Sequence, residues 1–193
     1  GASLKSPAWM EPFRYRSQDA TGMPRVLKSD LDLPLIVSMG TRYEPRKDPV
    51  FAMKVRYIDY ENADGFGDPA RFGPDFAIQG LGWTSQFALA IGGQKRLGEH
   101  LFLRAGYAYA SPLISDAAAF FNLGTNLAYQ HMPSLGASIK LNESVAFNLS
   151  YNYTVRQTIS GPAYTPTNQR IAGSQVSNTI DSHVMTMGVT VWY

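Results

Sequence analysis

A chain of 193 residues with net charge +2 and mean hydropathy −0.18 is long enough for one domain, and with no cysteine it has neither a disulfide framework nor a thiolate metal site. No basic run points to nucleic acid, and no apolar stretch reaches the roughly 18–20 residues of a membrane-spanning helix. The content of 11 Tyr, 10 Phe and 3 Trp is high, and membrane barrels set such residues in girdles at both interfaces.

In chain order, residues 1–6 read as the tail of a strand, too short to cross a bilayer. A long connection follows over residues 7–32. Residues 35–43 alternate, with Leu35, Val37, Met39 and Tyr43 opposing Ser38, Gly40 and Arg42. A short charged turn over 44–49 leads to residues 51–60, where Phe51, Met53, Val55 and Tyr57 oppose Lys54 and Arg56. After a Gly- and Pro-rich connection over 61–84, residues 85–96 set Phe87, Leu89 and Ile91 against Gln86, Ala88, Ala90 and Gly92. A turn at Leu97-Gly98-Glu99 precedes residues 101–110, where Leu101, Leu103, Ala105, Tyr107 and Tyr109 alternate with Phe102, Arg104, Gly106 and Ala108.

The connection over 111–132 can hold a short helix in 115–129, capped by Asp116 and stopped by Gly124. Residues 133–141 alternate again, and Asn142-Glu143 is a tight turn. Residues 144–155 alternate without exception, with Val145, Phe147, Leu149, Tyr151, Tyr153 and Val155 on one face. A connection over 156–182 precedes the last strand, 183–193.

The second face of these strands is Ser, Gly, Ala, Asn and Thr with a few basic residues, not the Lys and Glu of a soluble surface. Short turns and long connections alternate throughout, as periplasmic turns and extracellular loops do in an outer-membrane barrel. The expected fold is therefore all-β, a transmembrane antiparallel β-barrel. The fragmentary first strand and the lack of a visible signal peptide lead us to expect the C-terminal portion of a larger barrel, about eight strands in one domain over 1–193, without its N-terminal strands and plug. Outer-membrane lipid is the expected surrounding. Tyr193, with Val191, Val189 and Met187 before it at every second position, resembles the insertion signal read by the barrel assembly machinery.

The segments ASLKSP (2–7), LPLIVSMGTRY (33–43), VRYIDY (55–60), LFLRAGYAY (101–109), MPSLGASIK (132–140) and VAFNLSYNY (145–153) follow one another in an order that resembles the C-terminal half of the FadL/TodX family of outer-membrane long-chain fatty acid transporters. The resemblance implies a 14-stranded barrel, plugged by an N-terminal segment, that passes hydrophobic small molecules by diffusion. The family's plug and kinked strand have no counterpart in this sequence.

Arg42, Lys54, Arg56, Arg104 and Lys140 fall on the interior face. One or two of them, Arg104 and Arg56 first, suit a fatty-acid carboxylate; the reading favoured for each is structural, pairing with interior acids such as Asp59 or with a plug. Ile36, Ile58 and Phe102 are apolar on that face and suit a greasy pocket or plug packing. Phe66, Phe72, Phe76, Trp83, Phe120 and Phe121 in the connections suit either an external capture patch or loop packing. His100, His131 and His183 lack metal-ligand spacing, no nucleophile or phosphate motif is present, and no cofactor or enzymatic activity is expected. The alternative to transport is a structural or secretion-associated barrel that docks proteins through its loops.

Overall fold

The computed structural model describes residues 1–18, 21–45, 48–125 and 127–192. Its main feature is one antiparallel sheet of eight strands: β1 (Ala2–Lys5), β4 (Ile36–Tyr43), β5 (Val50–Ile58), β8 (Gln86–Leu97), β9 (Leu101–Ala110), β10 (His131–Lys140), β11 (Val145–Gly161) and β12 (Val176–Val191). Spatial order follows chain order, so the sheet is a meander; it is open, with β1 and β12 at its edges. One fragmentary strand and seven full ones match the sequence reading.

The register explains why the alternation is so regular. Tyr43, Phe51, Gly93, Ala105, Leu135, Tyr151 and Met185 are direct partners across the sheet, one row of a single face. A slip of one residue anywhere would turn a strand's apolar set to the other side. That face is uncovered: Met39 is 59% exposed, Leu135 62% and Met187 65%. An apolar surface of this extent is what a barrel wall presents to hydrocarbon.

Strands β11 and β12 run on beyond their expected ends. Pairing continues past a bulge between Thr154 and Gln157 up to Gly161 opposite Val176, so the expected connection over 156–182 shrinks. The added segment is mainly polar, with the Thr158 and Thr179 hydroxyls bonded at 2.8 Å on one face and Ile159 and Ile180 turned to the loop core on the other. The apolar alternation stops there, although the backbone ladder does not. Two further hairpins sit inside the long connections, β2 (Phe13–Gln18) with β3 (Pro24–Ser29), and β6 (Arg71–Phe72) with β7 (Ile78–Gly80).

The buried core lies among the connections at one end of the sheet. Trp83, Leu113, Ile114, Ala118, Ala119, Ala128 and Ile159 form it, with Tyr60, Phe66 and Leu81 packed against it. The expected helix is present as a 3-10 helix, Asp116–Asn122, but Ser115 occupies the cap position and makes no capping bond. Asp116 instead accepts a hydrogen bond from the Ser160 backbone N–H at 3.3 Å, tying the helix to β11. The helix ends at Asn122, before Gly124. Asn122 is fully buried: its Oδ1 accepts from Trp83 Nε1 at 2.7 Å, and its amide donates to the carbonyls of Leu81 at 2.7 Å and Ala118 at 2.9 Å. Asn168 bonds both backbone groups of Phe72, at 2.7 and 2.9 Å, and so joins two connections.

Candidate ligand-binding face

The interior face carries a ladder of the smallest side chains. On β8 and β9, Ala88 faces Ala110, Ala90 faces Ala108, and Gly92 faces Gly106. Ala52 on β5 extends the last rung. Opposite β9, Ser134 lies so close that a Cβ on Gly106 would stand 2.8 Å from its Oγ, so this rung admits only glycine without displacement. The result is a smooth strip with few polar atoms along the sheet.

Lys54 and Arg56 border the strip on β5. Lys54 is paired between Gly40 and Ala90, and Arg56 between Ser38 and Ala88. Among the described residues neither makes an ion pair or a side-chain hydrogen bond, and both are exposed. Arg104, the other leading candidate, is occupied. Its Nε donates to Gln94 Oε1 at 2.7 Å and its Nη1 to Ser138 Oγ at 2.6 Å. Ser138 bonds Asn148 at 2.5 Å, and Asn148 bonds Thr190 at 2.9 Å, so a polar chain crosses β8 to β12. A basin of about 360 Å³, lined by Gly92, Gly106, Ser134, Gly136 and Asn152, lies beside this chain.

The remaining candidates separate by position. Arg42 is held by Glu44 at 2.7 Å near the short-turn end. Phe102 lies under the Arg96 guanidinium, 5.7 Å from its ring centre. Ile36 faces Ile58 at the opposite end, next to the loop core. Lys140 stands 5.7 Å from the Trp192 ring centre. Of the six aromatic candidates in the connections, Trp83 and Phe121 are buried, Phe66, Phe72 and Phe120 are half-buried, and Phe76 is exposed. They pack as two groups, Tyr60 with Phe66 and Trp83, and Phe72 with Phe120, Phe121 and Tyr164. Burial pushes the Tyr60 phenol above its ordinary range; Tyr129 adds to the shift and Arg56 offsets it. A larger groove, about 680 Å³, lies on the opposite, apolar face around Gly93, Ala105 and Ala137.

Sequence reasoning missed a repeated arrangement on that apolar face. Tyr107 bonds His131 Nδ1 at 2.6 Å with Tyr109 against the same ring, and Tyr151 bonds His183 Nδ1 at 2.6 Å with Tyr153 stacked on it. The signal was there: a Tyr-x-Tyr late in one strand, answered by a histidine on the next. Among the described residues no group of three metal-ligating side chains gathers. Met187, Val189 and Val191 lie on the apolar face opposite Leu149, Phe147 and Val145; Tyr193 lies outside the described residues.

No family model matches the sequence, and no curated protein does. Solved structures do. The toluene transporter TodX of Pseudomonas putida is 12% identical, with a TM-score of 0.58 over 100% of this chain and 45% of that one. A TodX variant described as a monoaromatic hydrocarbon channel is 14% identical, with a TM-score of 0.53 over 99% of this chain and 45% of that one. A further crystal structure of the Pseudomonas putida transporter is 15% identical, with a TM-score of 0.50 over 96% and 44%. The chain spans less than half the length of these structures, and at such identities the likeness is one of fold: this sheet is built like part of an outer-membrane β-barrel of the TodX type.

Proposed function

We propose that the chain is part of an outer-membrane barrel through which hydrophobic small molecules diffuse, long-chain fatty acids or hydrocarbons being the substrate class. The observation that carries this reading is the Ala/Gly ladder on the interior face. A corridor for apolar cargo needs contact without deep binding, because a tightly held molecule does not leave. Ala and Gly offer little area to grip, and few polar groups that would hold water. The fold likeness to channels described as carrying toluene and monoaromatic hydrocarbons supports the same reading. Lys54 and Arg56, free at the corridor's border, extend it to cargo with a carboxylate.

The test uses full-length protein expressed at equal outer-membrane levels in cells lacking their own transporter. Tryptophan at Ala90 and Ala108 fills the ladder, and uptake of toluene and of a long-chain fatty acid both fall several-fold. Removal of the two cations (Lys54→Ala with Arg56→Ala) lowers fatty-acid uptake by roughly tenfold and leaves toluene uptake alone. Unchanged uptake of both compounds in the tryptophan variant removes the corridor from this face.

A further inference from the structure

Away from the interior face, hairpin β2–β3 holds a second group of cations without counter-ions. Arg14 on β2 is directly opposite Lys28 on β3, and Arg16 follows on the same face, opposite Val26. Alternation sends Phe13, Tyr15 and Leu27 to the other face. That other face is the anchored one. Arg25, on it, donates Nη1 to the Asp75 carbonyl at 2.6 Å, and Leu27 and Ser29 are half-buried. Arg14, Arg16 and Lys28 are exposed, and among the described residues none makes an ion pair or a side-chain hydrogen bond.

Like charges set directly opposite each other across an antiparallel pair destabilise it. This hairpin therefore contains a repulsion that its own strands do not neutralise. A multivalent oxyanion relieves it. A phosphate group offers several acceptor oxygens, which suit a guanidinium fork on one side and an ammonium on the other.

We propose that the exposed face of β2–β3 is a phosphate-binding site, with Arg14 and Lys28 clasping the group and Arg16 contacting the same ligand further along the strand. The hairpin belongs to a long connection, on the side of the sheet where the loop core is assembled. With the long connections on the outer side, as their alternation with short turns leads us to expect, that side faces the phosphorylated headgroups of the outer leaflet; a soluble phosphate is the other source of the same chemistry.

Full-length protein in detergent micelles is titrated calorimetrically with inorganic pyrophosphate and, separately, with the diphosphorylated glycolipid lipid A. The informative variant is Arg14→Glu, because it places an acid opposite Lys28 and so supports the hairpin while spoiling the site. Its affinity for the bound probe falls at least roughly tenfold, and toluene uptake, measured in parallel, stays at the parent level. Binding of lipid A with this dependence supports a membrane source; binding of pyrophosphate alone supports the site with a soluble ligand. Equal affinity of parent and Arg14→Glu for both probes, or no binding of either by the parent, overturns the proposal.

Discussion

Arginines of the interior face illustrate how much a single residue's meaning depends on its neighbours. Arg56 and Arg104 both lie mid-strand on the same face and are equivalent in the sequence. In the fold, Arg104 is held by Gln94 and Ser138, whereas Arg56 has small residues on either side and, among the described residues, no hydrogen-bond or ion-pair partner. No spacing rule separates them, because the difference is set by β10, whose Ser138 lies 34 residues away. Asn122 was likewise illegible: its partner Trp83 is 39 residues distant. Asn122→Ala leaves the Trp83 N–H and two carbonyls without partners in a site closed to water. The loop core is expected to lose about 2–3 kcal/mol, seen as faster cleavage of the connections by added protease while the strands stay protected. Cleavage at the parent rate would show that the amide does not hold the core together.

Strands were legible because lipid on one side and small residues on the other impose period two, and that pattern survives without any knowledge of the partners. Wherever this two-sided constraint lapses, the reading lapses too. The upper part of β11 and β12, mainly polar with Ile159 and Ile180 turned to the loop core, reads as loop although it is paired. The hairpins β2–β3 and β6–β7 were missed because they are short: β2 alternates Phe13 and Tyr15 with Arg14 and Arg16 over too few residues to stand out within a long connection. The short helix was found, but its cap was misassigned, because Asp116 bonds β11 rather than its own first turn. That junction allows no side chain at Gly161: a Cβ there would come within 1.8 Å of the Asp116 carbonyl oxygen. Gly161→Ala is expected to lift the helix off β11 at a cost of about 1–3 kcal/mol, exposing Ile159. A fluorescent apolar dye that binds the variant more than the parent would register this; equal dye binding would mean that the helix is not seated as described.

Taken whole, the sheet is a wall one strand thick whose two faces obey different rules, and adjacent residues test both. Ile91 belongs to the apolar face and Ala90 to the interior. Ile91→Arg is expected to cost about 2–4 kcal/mol in folding from denaturant into lipid bilayers, whereas Ala108→Arg, beside Ala90 on the interior face and opposite uncharged residues, costs little. Equal penalties would mean that the two faces had been assigned wrongly. The larger setting is the part least legible in the sequence, since nothing local records how many strands complete a circumference. The loop core carries a consequence of its own for assembly. It draws residues from three connections, those around Trp83, around Ala118 and at the top of β11 and β12. With the long connections on the outer side, as expected from their alternation with short turns, none of these can pack until all have crossed the membrane. Once packed, no single hairpin can be withdrawn without undoing the other two. In this the far side behaves like a toggle bolt, slim on the way through and spread afterwards, so that insertion runs in one direction.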